Sequence, residues 1–495
     1  MGVLPDKNTL SKHDGIAFFG DITTIAESPV KPGLLYVGTD DGNLQVSKDG
    51  GKTWKNKIDK LHDMPQYTYI TRVVASHFAE GTAYATLDGH RNNDFKPYVF
   101  STTDYGESWK DISSNIPVGS TVNVIREHHA NPDLLFVGTE RGAYFSVDRG
   151  KKWIMIKGNL PMVPVDDIAI HPRENDLILG THGRSIWILD DITFLEQMTA
   201  EAQNSSAYLF DIQEATQLRF FYHKGNTGHK IFVAPNPPYG AMMSYYLKQK
   251  TKKSPILVIT DKEGQKVNEI KGPKNAGISR VNWNLRSGAP DIPELGRTRR
   301  GLGPLVLPGE YNVTLKVEDQ EMTKILKVAD DPRIEISFAD RKAQHDALVK
   351  LHYLYPYVMA ATKAVGDLEK ELEKVRKTLK KVTEVPESIK EHIETMTKEL
   401  GEIKIKLAGD PELGFRGRQF SVQGGLSMIG SAIGGYSEAP TERRLQQIEK
   451  KQQELKTLIE RINKIIQENI PHLNELLIAN EIPHVFPVKI IKFNK

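Results

Sequence analysis

An eight-residue pattern that occurs three times constrains the fold of this chain more than any other feature. The pattern is [S/T]-x-D-x-G-x-x-W, and its copies are Ser47–Trp54, Thr102–Trp109 and Ser146–Trp153. Judged by their aspartates, the copies lie about 55 and about 44 residues apart, which is the length of one supersecondary repeat. A single copy would be weak, because Asp and Gly occur in many turns. Three copies in register predict a repeated β-sheet unit.

The residues around each copy repeat as well. An apolar or alternating segment precedes each copy, a second follows a turn marked by Pro or Gly, and a third leads into the pattern. The Trp then opens a fourth strand. Four such repeats predict a partial β-propeller of about four blades. The fourth repeat, through Ser185–Asp191, lacks the Gly and the Trp, as terminal repeats often do.

We interpret the residues of the pattern as structural. The Asp carboxylate can accept hydrogen bonds from backbone N–H groups of its own turn, and the Gly suits a positive φ. The Trp is expected to bury its ring between neighbouring sheets. The predicted structural residues are Asp49, Trp54, Asp104, Trp109, Asp148 and Trp153.

The number of strands in each repeat places the candidate ligand-binding residues at the end of the sheets opposite the three eight-residue patterns. If every strand crosses its sheet, the turns after the second strands lie with the linkers between sheets, away from the three patterns. Charged and His side chains at matching turns would converge around a channel, unless these turns are simply polar and solvated. The candidate ligand-binding residues are Asp40, Asp41, His90, Arg91, Glu140, Arg141, His182 and Arg184.

Catalysis would need more than these turns. Glycosidic cleavage uses two carboxylates that face each other, and Glu140, Asp166 and Asp167 are among those available. A sialidase-like site would also need several Arg residues that converge on a carboxylate. Arginines are available for that role, but no sequence spacing sets their separation: Arg72, Arg126, Arg141 and Arg184. No catalytic residue is therefore assigned.

Residues from about Gly20 to Asp191 resemble large bacterial BNR (Asp-box) repeat proteins of the sortilin N-terminal-domain-like and WD40/YVTN/BNR-like kind. The segments that carry the resemblance are GTDDG, DFKPYVFSTTDYGESW, GTERG and THGRSIWILDD. The chain resembles the C-terminal half of those proteins, and no catalytic motif of the family is present to carry over. The resemblance implies an extracytoplasmic location and further blades, placed upstream or supplied by another chain.

The chain changes character after the repeats. Residues 213–333 are rich in short β-like runs, and Pro308–Val317 alternates cleanly after a Pro-Gly turn, which is typical of an immunoglobulin- or fibronectin-like sandwich. Residues 334–495 show helical spacing and predict an α-helical bundle. Pro356 is expected to kink or break the first helix, and a Gly-rich loop is predicted near residues 411–437. The three predicted domains are thus 1–212, 213–333 and 334–495.

Composition excludes several classes of function. The 66 Lys and Arg residues nearly balance the 63 Asp and Glu residues, so the net charge of +3 does not indicate nucleic-acid binding. The chain contains no cysteine, which rules out disulfides and thiolate metal sites. No apolar run is long enough to span a membrane, and residues 1–14 show no signal peptide. Neither a cofactor nor a metal is predicted.

Two functions remain open, together with one structural role. The leading interpretation is a non-catalytic recognition or scaffold module that binds a protein or glycan ligand through one face of the propeller. The alternative is a glycoside hydrolase, sialidase- or xyloglucanase-like, with its acid and base on that face, either alone or together with upstream blades. A third possibility is an assembly in which the helical tail oligomerises.

Overall fold

The computed structural model describes residues 20–220, 228, 230, 232–290, 292, 295, 303–382, 384–486 and 488–493. Residues 1–14, which were searched for a signal peptide, lie outside these ranges. The strands are β1 (Ile22–Glu27), β2 (Leu35–Thr39), β3 (Leu44–Ser47), β4 (Lys55–Asn56), β5 (Tyr69–Ala75), β6 (Ala83–Asp88), β7 (Tyr98–Thr102), β8 (Lys110–Asp111), β9 (Val122–Glu127), β10 (Leu135–Thr139), β11 (Gly142–Ser146), β12 (Ile154–Met155), β13 (Val165–Ile170), β14 (Leu177–Thr181), β15 (Ile186–Leu189), β16 (Ala207–Leu209), β17 (Ala215–Gln217), β18 (Ala241–Leu247), β19 (Ile256–Thr260), β20 (Lys266–Lys271), β21 (Gly277–Trp283), β22 (Gly309–Val317) and β23 (Gln320–Asp330). The helices are α1 (Thr193–Glu196), α2 (Ala200–Asn204), α3 (Phe338–Leu379), α4 (Glu387–Ala408), α5 (Gly414–Phe420), α6 (Val422–Gly434), α7 (Glu442–Lys464) and α8 (Ile470–Ala479).

The chain divides into two compact units. The first contains the residues up to Asp211 together with Ser244–Thr251 and Lys274–Ser279, and the second contains the remainder. The three domains predicted from sequence, with boundaries after residues 212 and 333, stay a prediction.

Four antiparallel sheets open the first unit, one for each predicted repeat. Sheet 1 consists of β1–β4, sheet 2 of β5–β8, sheet 3 of β9–β12 and sheet 4 of β13–β15, and each pairs its strands in chain order. Sheet 4 has three strands among the described residues. This agrees with the sequence of the fourth repeat, which lacks the Trp that opens the fourth strand in the other three. The prediction of repeated, propeller-type β-sheets is therefore confirmed, while the number of blades in a complete propeller stays a prediction.

Neighbouring sheets pack on one another through their first strands. β1 contacts β5, β5 contacts β9, and β9 contacts β13. Buried apolar side chains fill each of the three seams between sheets, because successive residues of a strand point to opposite faces and so reach both neighbours. Representative members are Tyr36, Leu44 and Ile70 in the first seam, Val99, Ile125 and Trp153 in the second, and Phe136, Val165 and Ile168 in the third.

A glycine on the second strand forms a hollow in two of these seams. The space where a Cβ of Gly38 would lie is occupied by the side chain of Ile70 from sheet 2. A Cβ on Gly138 would lie 2.6 Å from the carbonyl oxygen of Val165 and 2.9 Å from its Cγ1. An apolar side chain of one sheet therefore fills a glycine hollow of the sheet before it, which brings the two sheets close together.

The repeated turns are closed by their aspartates. The carboxylate of Asp49 accepts hydrogen bonds from the backbone N–H of Thr53 at 2.9 Å, from its hydroxyl at 2.6 Å, and from the hydroxyl of Ser47 at 2.9 Å. Hydrogen bonds from Thr53 and Ser47 lower the pKa of Asp49 to about 2. Asp104 and Asp148 accept the corresponding backbone hydrogen bonds at 2.9 and 3.0 Å.

The expectation that every Trp of the pattern is buried between sheets is wrong for Trp54. Trp153 is 2% exposed, and its indole N–H donates to the carbonyl of Ile112 in the preceding sheet at 2.7 Å. Trp54 is 40% exposed and donates to Gly51 of its own turn at 2.9 Å. The difference arises because the Trp packs towards the preceding sheet, and sheet 1 is the first of the four.

A five-stranded sheet and a set of helices make up most of the second unit. The sheet has the order β17-β23-β22-β19-β20, in which β17 runs parallel to β23. Trp283 is fully buried and packs edge to face on Tyr311, with ring centroids 5.7 Å apart. In the first unit, β16 pairs with the end of β18, Tyr245–Leu247. An immunoglobulin-like sandwich within residues 213–333 stays a prediction.

The predicted helical C-terminal region is confirmed, but the loop predicted within it is wrong. α3 runs through Pro356 without a break, because the residues around it, such as Tyr357 and Val358, are buried in the helical core, and a kink at Pro356 stays a prediction. The Gly-rich segment near 411–437 is not a loop but folds into the helices α5 and α6. Burial of Leu426, whose side chain packs into the same core, helps to offset the low helix propensity of glycine. No described helix is long and apolar enough to cross a membrane.

Replacing Gly138 by Ala is expected to destabilise the first unit by about 1–3 kcal/mol, because the new methyl group would overlap the backbone of sheet 4. Gly366→Ala is the matched control, since a Cβ at this position in α3 meets nothing within 4 Å. It should be neutral or stabilising by up to about 1 kcal/mol, because Ala favours a helix. Urea unfolding of both variants measures the difference. Equal effects would contradict the close approach of sheets 3 and 4.

Candidate ligand-binding site on the first strands of the sheets

The turns that carry the predicted ligand-binding residues lie beside the linkers between sheets. The backbone N–H of Asp40 donates to the carbonyl of Asp21 just before β1, at 3.0 Å. Glu140 makes the same hydrogen bond to Thr121, just before β9, also at 3.0 Å. The three pattern turns instead lie at the other end of the sheets, where Gly50 donates to Gly33 at 2.9 Å. The two sets of turns are thus on opposite faces.

The two acids of sheet 1 stabilise their own surroundings. Asp40 is fully buried, and its carboxylate accepts hydrogen bonds from the backbone N–H groups of Gly20 and Asp21, both at 2.8 Å. Asp41 is 2% exposed and accepts from the side chain of Asn43 at 2.7 Å. With this burial, neither carboxylate is open to a ligand.

The candidates of sheet 2 pair locally. The imidazole of His90 contacts the carboxylate of Asp88, which lies two residues earlier in the chain. The guanidinium of Arg91 lies over the ring of Tyr69, 5.3 Å from its centroid. Such a cation–π contact holds the arginine against the start of β5.

The candidates of sheets 3 and 4 are more open to solvent. Glu140 accepts a hydrogen bond from the side chain of Asn123 at 3.0 Å, and the guanidinium of Arg141 lies against Gly119. His182, whose side chain is 80% exposed, lies 3.3 Å from the carboxylate of Asp166. The carbonyl oxygen of Arg184 accepts the indole N–H of Trp187 at 3.0 Å.

A charged cluster joins three sheets at their first strands. Arg72 of β5 and Arg126 of β9 each donate to the same carboxylate oxygen of Asp167 in β13, both at 3.0 Å. Arg126 also donates through Nε to the carbonyl of Ile168 at 2.8 Å. We call Arg72, Arg126 and Asp167 the inner cluster.

The inner cluster has more positive than negative charge. Burial lowers the pKa of Arg126, and the neighbouring positive charge of Arg72 lowers it further, while Asp167 acts in the opposite direction. The Nε of Arg72 is buried, and no described residue accepts a hydrogen bond from it. One carboxylate thus serves two guanidinium groups, an arrangement that can accept a second carboxylate or another anionic oxygen.

Sequence reasoning named the members of the inner cluster only as available groups and did not place them together. The signal in the sequence is an Arg at an interior position of the first strand in two repeats, Arg72 in β5 and Arg126 in β9. In β1 the equivalent residues are Thr24 and Ala26, respectively. That signal does not show that the side chains meet. Among the described residues, no group of three or more His, Asp or Glu side chains is placed to hold a metal ion.

No protein-family model matches the chain. Over 182 residues it is 25% identical to the oligoxyloglucan-reducing end-specific xyloglucanase of Emericella nidulans, which covers 34% of this chain and 21% of that enzyme. Over 139 residues it is 27% identical to the vacuolar protein sorting/targeting protein 10 of Colletotrichum graminicola, which covers 27% of this chain and 8% of that protein. The chain thus spans about a fifth or less of the length of these two relatives.

A solved GH74 xyloglucanase from Xanthomonas campestris aligns with 62% of this chain and 43% of its own, at 11% identity and a TM-score of 0.30. A TM-score this low carries no argument about function. At a coarse level, the two sequence relatives support the resemblance to BNR- and sortilin-type propeller proteins.

Asp167→Asn is expected to lower the free energy of unfolding by up to about 1 kcal/mol, because two guanidinium groups lose their shared counter-ion at a partly exposed site. Sulfate should restore more stability to this variant than to the unaltered protein, since the anion can replace the carboxylate. Thermal unfolding in sodium chloride and sodium sulfate at equal ionic strength measures this.

Asp133→Asn is the control for the sulfate experiment. Asp133 pairs with the single guanidinium of Arg149 at 2.5 Å, and both side chains are more than half exposed. It should show only the general stabilisation that sulfate gives to folded proteins. An equal sulfate response in both variants would mean that the inner cluster does not bind anions.

Proposed function

We propose that this chain is a non-catalytic recognition module that binds a carboxylate-bearing ligand, a protein segment or a glycan, at the inner cluster. The observation that carries the proposal is the convergence of Arg72 and Arg126, from two different sheets, on the single carboxylate of Asp167. Guanidinium groups bind carboxylates through paired, charge-assisted hydrogen bonds. The side chains of Arg72 and Arg126 are each 28% exposed, so a ligand can reach them.

The carboxylates near this cluster favour binding over catalysis. A general acid in a glycosidase is commonly a carboxyl group held in an apolar, desolvated pocket. The side chains of Asp166 and Asp167 are 51% and 58% exposed, and Glu140 is an exposed residue of its turn. Asp167 is also occupied by two guanidinium groups. None of the three has such an enclosed setting.

The six turn residues of sheets 2 to 4 remain proposed contacts of the ligand, whereas Asp40 and Asp41 are buried. His182 and Arg184 are the most suitable for a first test, since the side chain of His182 is 80% exposed and Arg184 is also exposed. The extracytoplasmic location implied by the resemblance likewise stays a proposal.

The test is a screen of acidic and neutral peptides and oligosaccharides, followed by titration of each hit. Arg72→Gln combined with Arg126→Gln is expected to weaken binding by about 10- to 100-fold, because two charge-assisted hydrogen bonds are lost. Arg173→Gln is the control: it removes the same charge from a side chain that is 80% exposed and pairs with the adjacent Glu174. It should leave binding unchanged.

Two results would contradict this proposal. One is a set of hits that are all neutral, and the other is undiminished binding by the double variant. Circular dichroism of the variant must match the unaltered protein, because Arg126 also supports the backbone of Ile168.

A glycoside hydrolase is the second candidate, favoured by the 25% identity to a xyloglucanase over 182 residues. Its acid and base would come from Glu140, Asp166 and Asp167. Release of reducing sugar from a panel that includes xyloglucan oligosaccharides, abolished by Glu140→Gln or Asp167→Asn, would establish it. The absence of turnover across the panel would remove it.

A further inference from the structure

The four sheets have equivalent positions that can be aligned by strand pairing. Each first strand carries one irregularity at the same place in its pairing with the second strand. The residue just before it is Ile22 in sheet 1, and its equivalents are Ile70, Val122 and Val165. Three positions further on, the equivalents are Ile25, Val73, Ile125 and Ile168.

Sheet 1 differs from the others at both positions. Ile22 and Ile25 are 67% and 65% exposed, whereas their six equivalents are no more than 3% exposed. In sheets 2 to 4 these side chains are covered by the sheet before. Ile22, Ile25 and the exposed Trp54 therefore form a seam surface that no sheet of the described residues covers, and we call this surface the leading face.

Sheet 4 shows the complementary surface on its other side. Ile186 of β15 is 67% exposed, while Leu44, Val99 and Ala143, which occupy the same position in sheets 1 to 3, are fully buried. Ile188 is 57% exposed. We call this surface the trailing face.

The trailing face also carries an unfilled glycine hollow. Gly180 occupies the position of Gly38 and Gly138 in the strand pairing. A Cβ on Gly180 would meet only Asp167 of its own sheet, at 3.6 Å or more. At the first internal seam Ile70 fills the hollow at Gly38, and at the third seam Val165 fills the hollow at Gly138. The equivalent residue in sheet 1 is the exposed Ile22.

We propose that a second copy of this chain covers these surfaces, so that the leading face of each copy docks on the trailing face of the other. Ile22 would enter the hollow at Gly180, and Ile25 would pack beside Ile186. The two faces match because they repeat the shapes that already meet at the first and third internal seams, where Ile70 and Val165 fill the hollows. Two such head-to-tail contacts close a symmetric ring of eight sheets, at the upper end of the usual range of propellers.

One hydrogen bond distinguishes this contact from the internal seams. Thr23, Thr71 and Asn123 each donate to a carbonyl of the following sheet, at 2.7, 2.9 and 3.4 Å. The equivalent residue of sheet 4 is Asp166, and an ionised carboxylate cannot donate. The contact between copies thus lacks a bond that the internal seams have, so it should be weaker and separate on dilution.

Sedimentation equilibrium of the full chain tests the proposal, with a concentration-dependent dimer as the expected result. Ile22→Asp combined with Ile25→Asp should raise the dissociation constant about 100-fold or more, because the charges oppose burial. Both side chains are already exposed, so the fold of each copy should persist. The control is Ile325→Asp combined with Ile478→Asp, at side chains that are 62% and 63% exposed elsewhere. It should leave the dimer intact.

A gain of affinity provides an independent check. Asp166→Asn introduces the donor that Asn123 supplies at the third seam, and we expect the dimer to tighten about 5-fold or more. A monomer at about 100 μM, a ladder of larger species, or a dimer unaffected by the double Asp variant would each overturn the proposal.

Discussion

The first unit depends on one recurring contact, an apolar side chain of one sheet in a glycine hollow of the sheet before. Ile70 against Gly38 and Val165 against Gly138 are its two clearest examples. Full burial of such a side chain contributes roughly 1.5–3 kcal/mol, and the absence of a Cβ lets the backbones approach closely. Sheets 1, 3 and 4 have the glycine and sheet 2 has Thr86 at the equivalent position, so the contact recurs at the first and third seams and does not by itself specify where the array ends.

The same contact positions the charges. Since the first strands are held close by the seams, long side chains at their interior positions can reach across to other sheets. This is why Arg72 of sheet 2 meets Asp167 of sheet 4, which is 95 residues away in the chain. The charged groups at the ends of the sheets, by contrast, are partly used to hold their own turns, as the buried Asp40 and Asp41 show. Acids that look alike in the sequence are thus used differently, since Asp40 accepts hydrogen bonds beside its own turn and Asp167 joins the guanidinium groups of two other sheets.

Packing also decides the helical region. Glycine and proline have low helix propensity because of backbone entropy and a missing N–H group, yet α6 and α3 accommodate them. In both helices the apolar side chains recur at helical spacing and are buried in one core. The free energy of burying them exceeds the local cost. A prediction based on composition alone gave too much weight to that local cost.

The sequence by itself determined the features that depend on near neighbours. The strands of the four repeats follow from alternation and turn residues, and the closure of each turn follows from an aspartate within hydrogen-bonding reach of the backbone four residues on. Only the tertiary structure decided which side chains meet across sheets, which Trp is left exposed, and which faces no described sheet covers. Those outcomes depend on distances between segments far apart in the chain, and spacing along a sequence carries no measure of such distances.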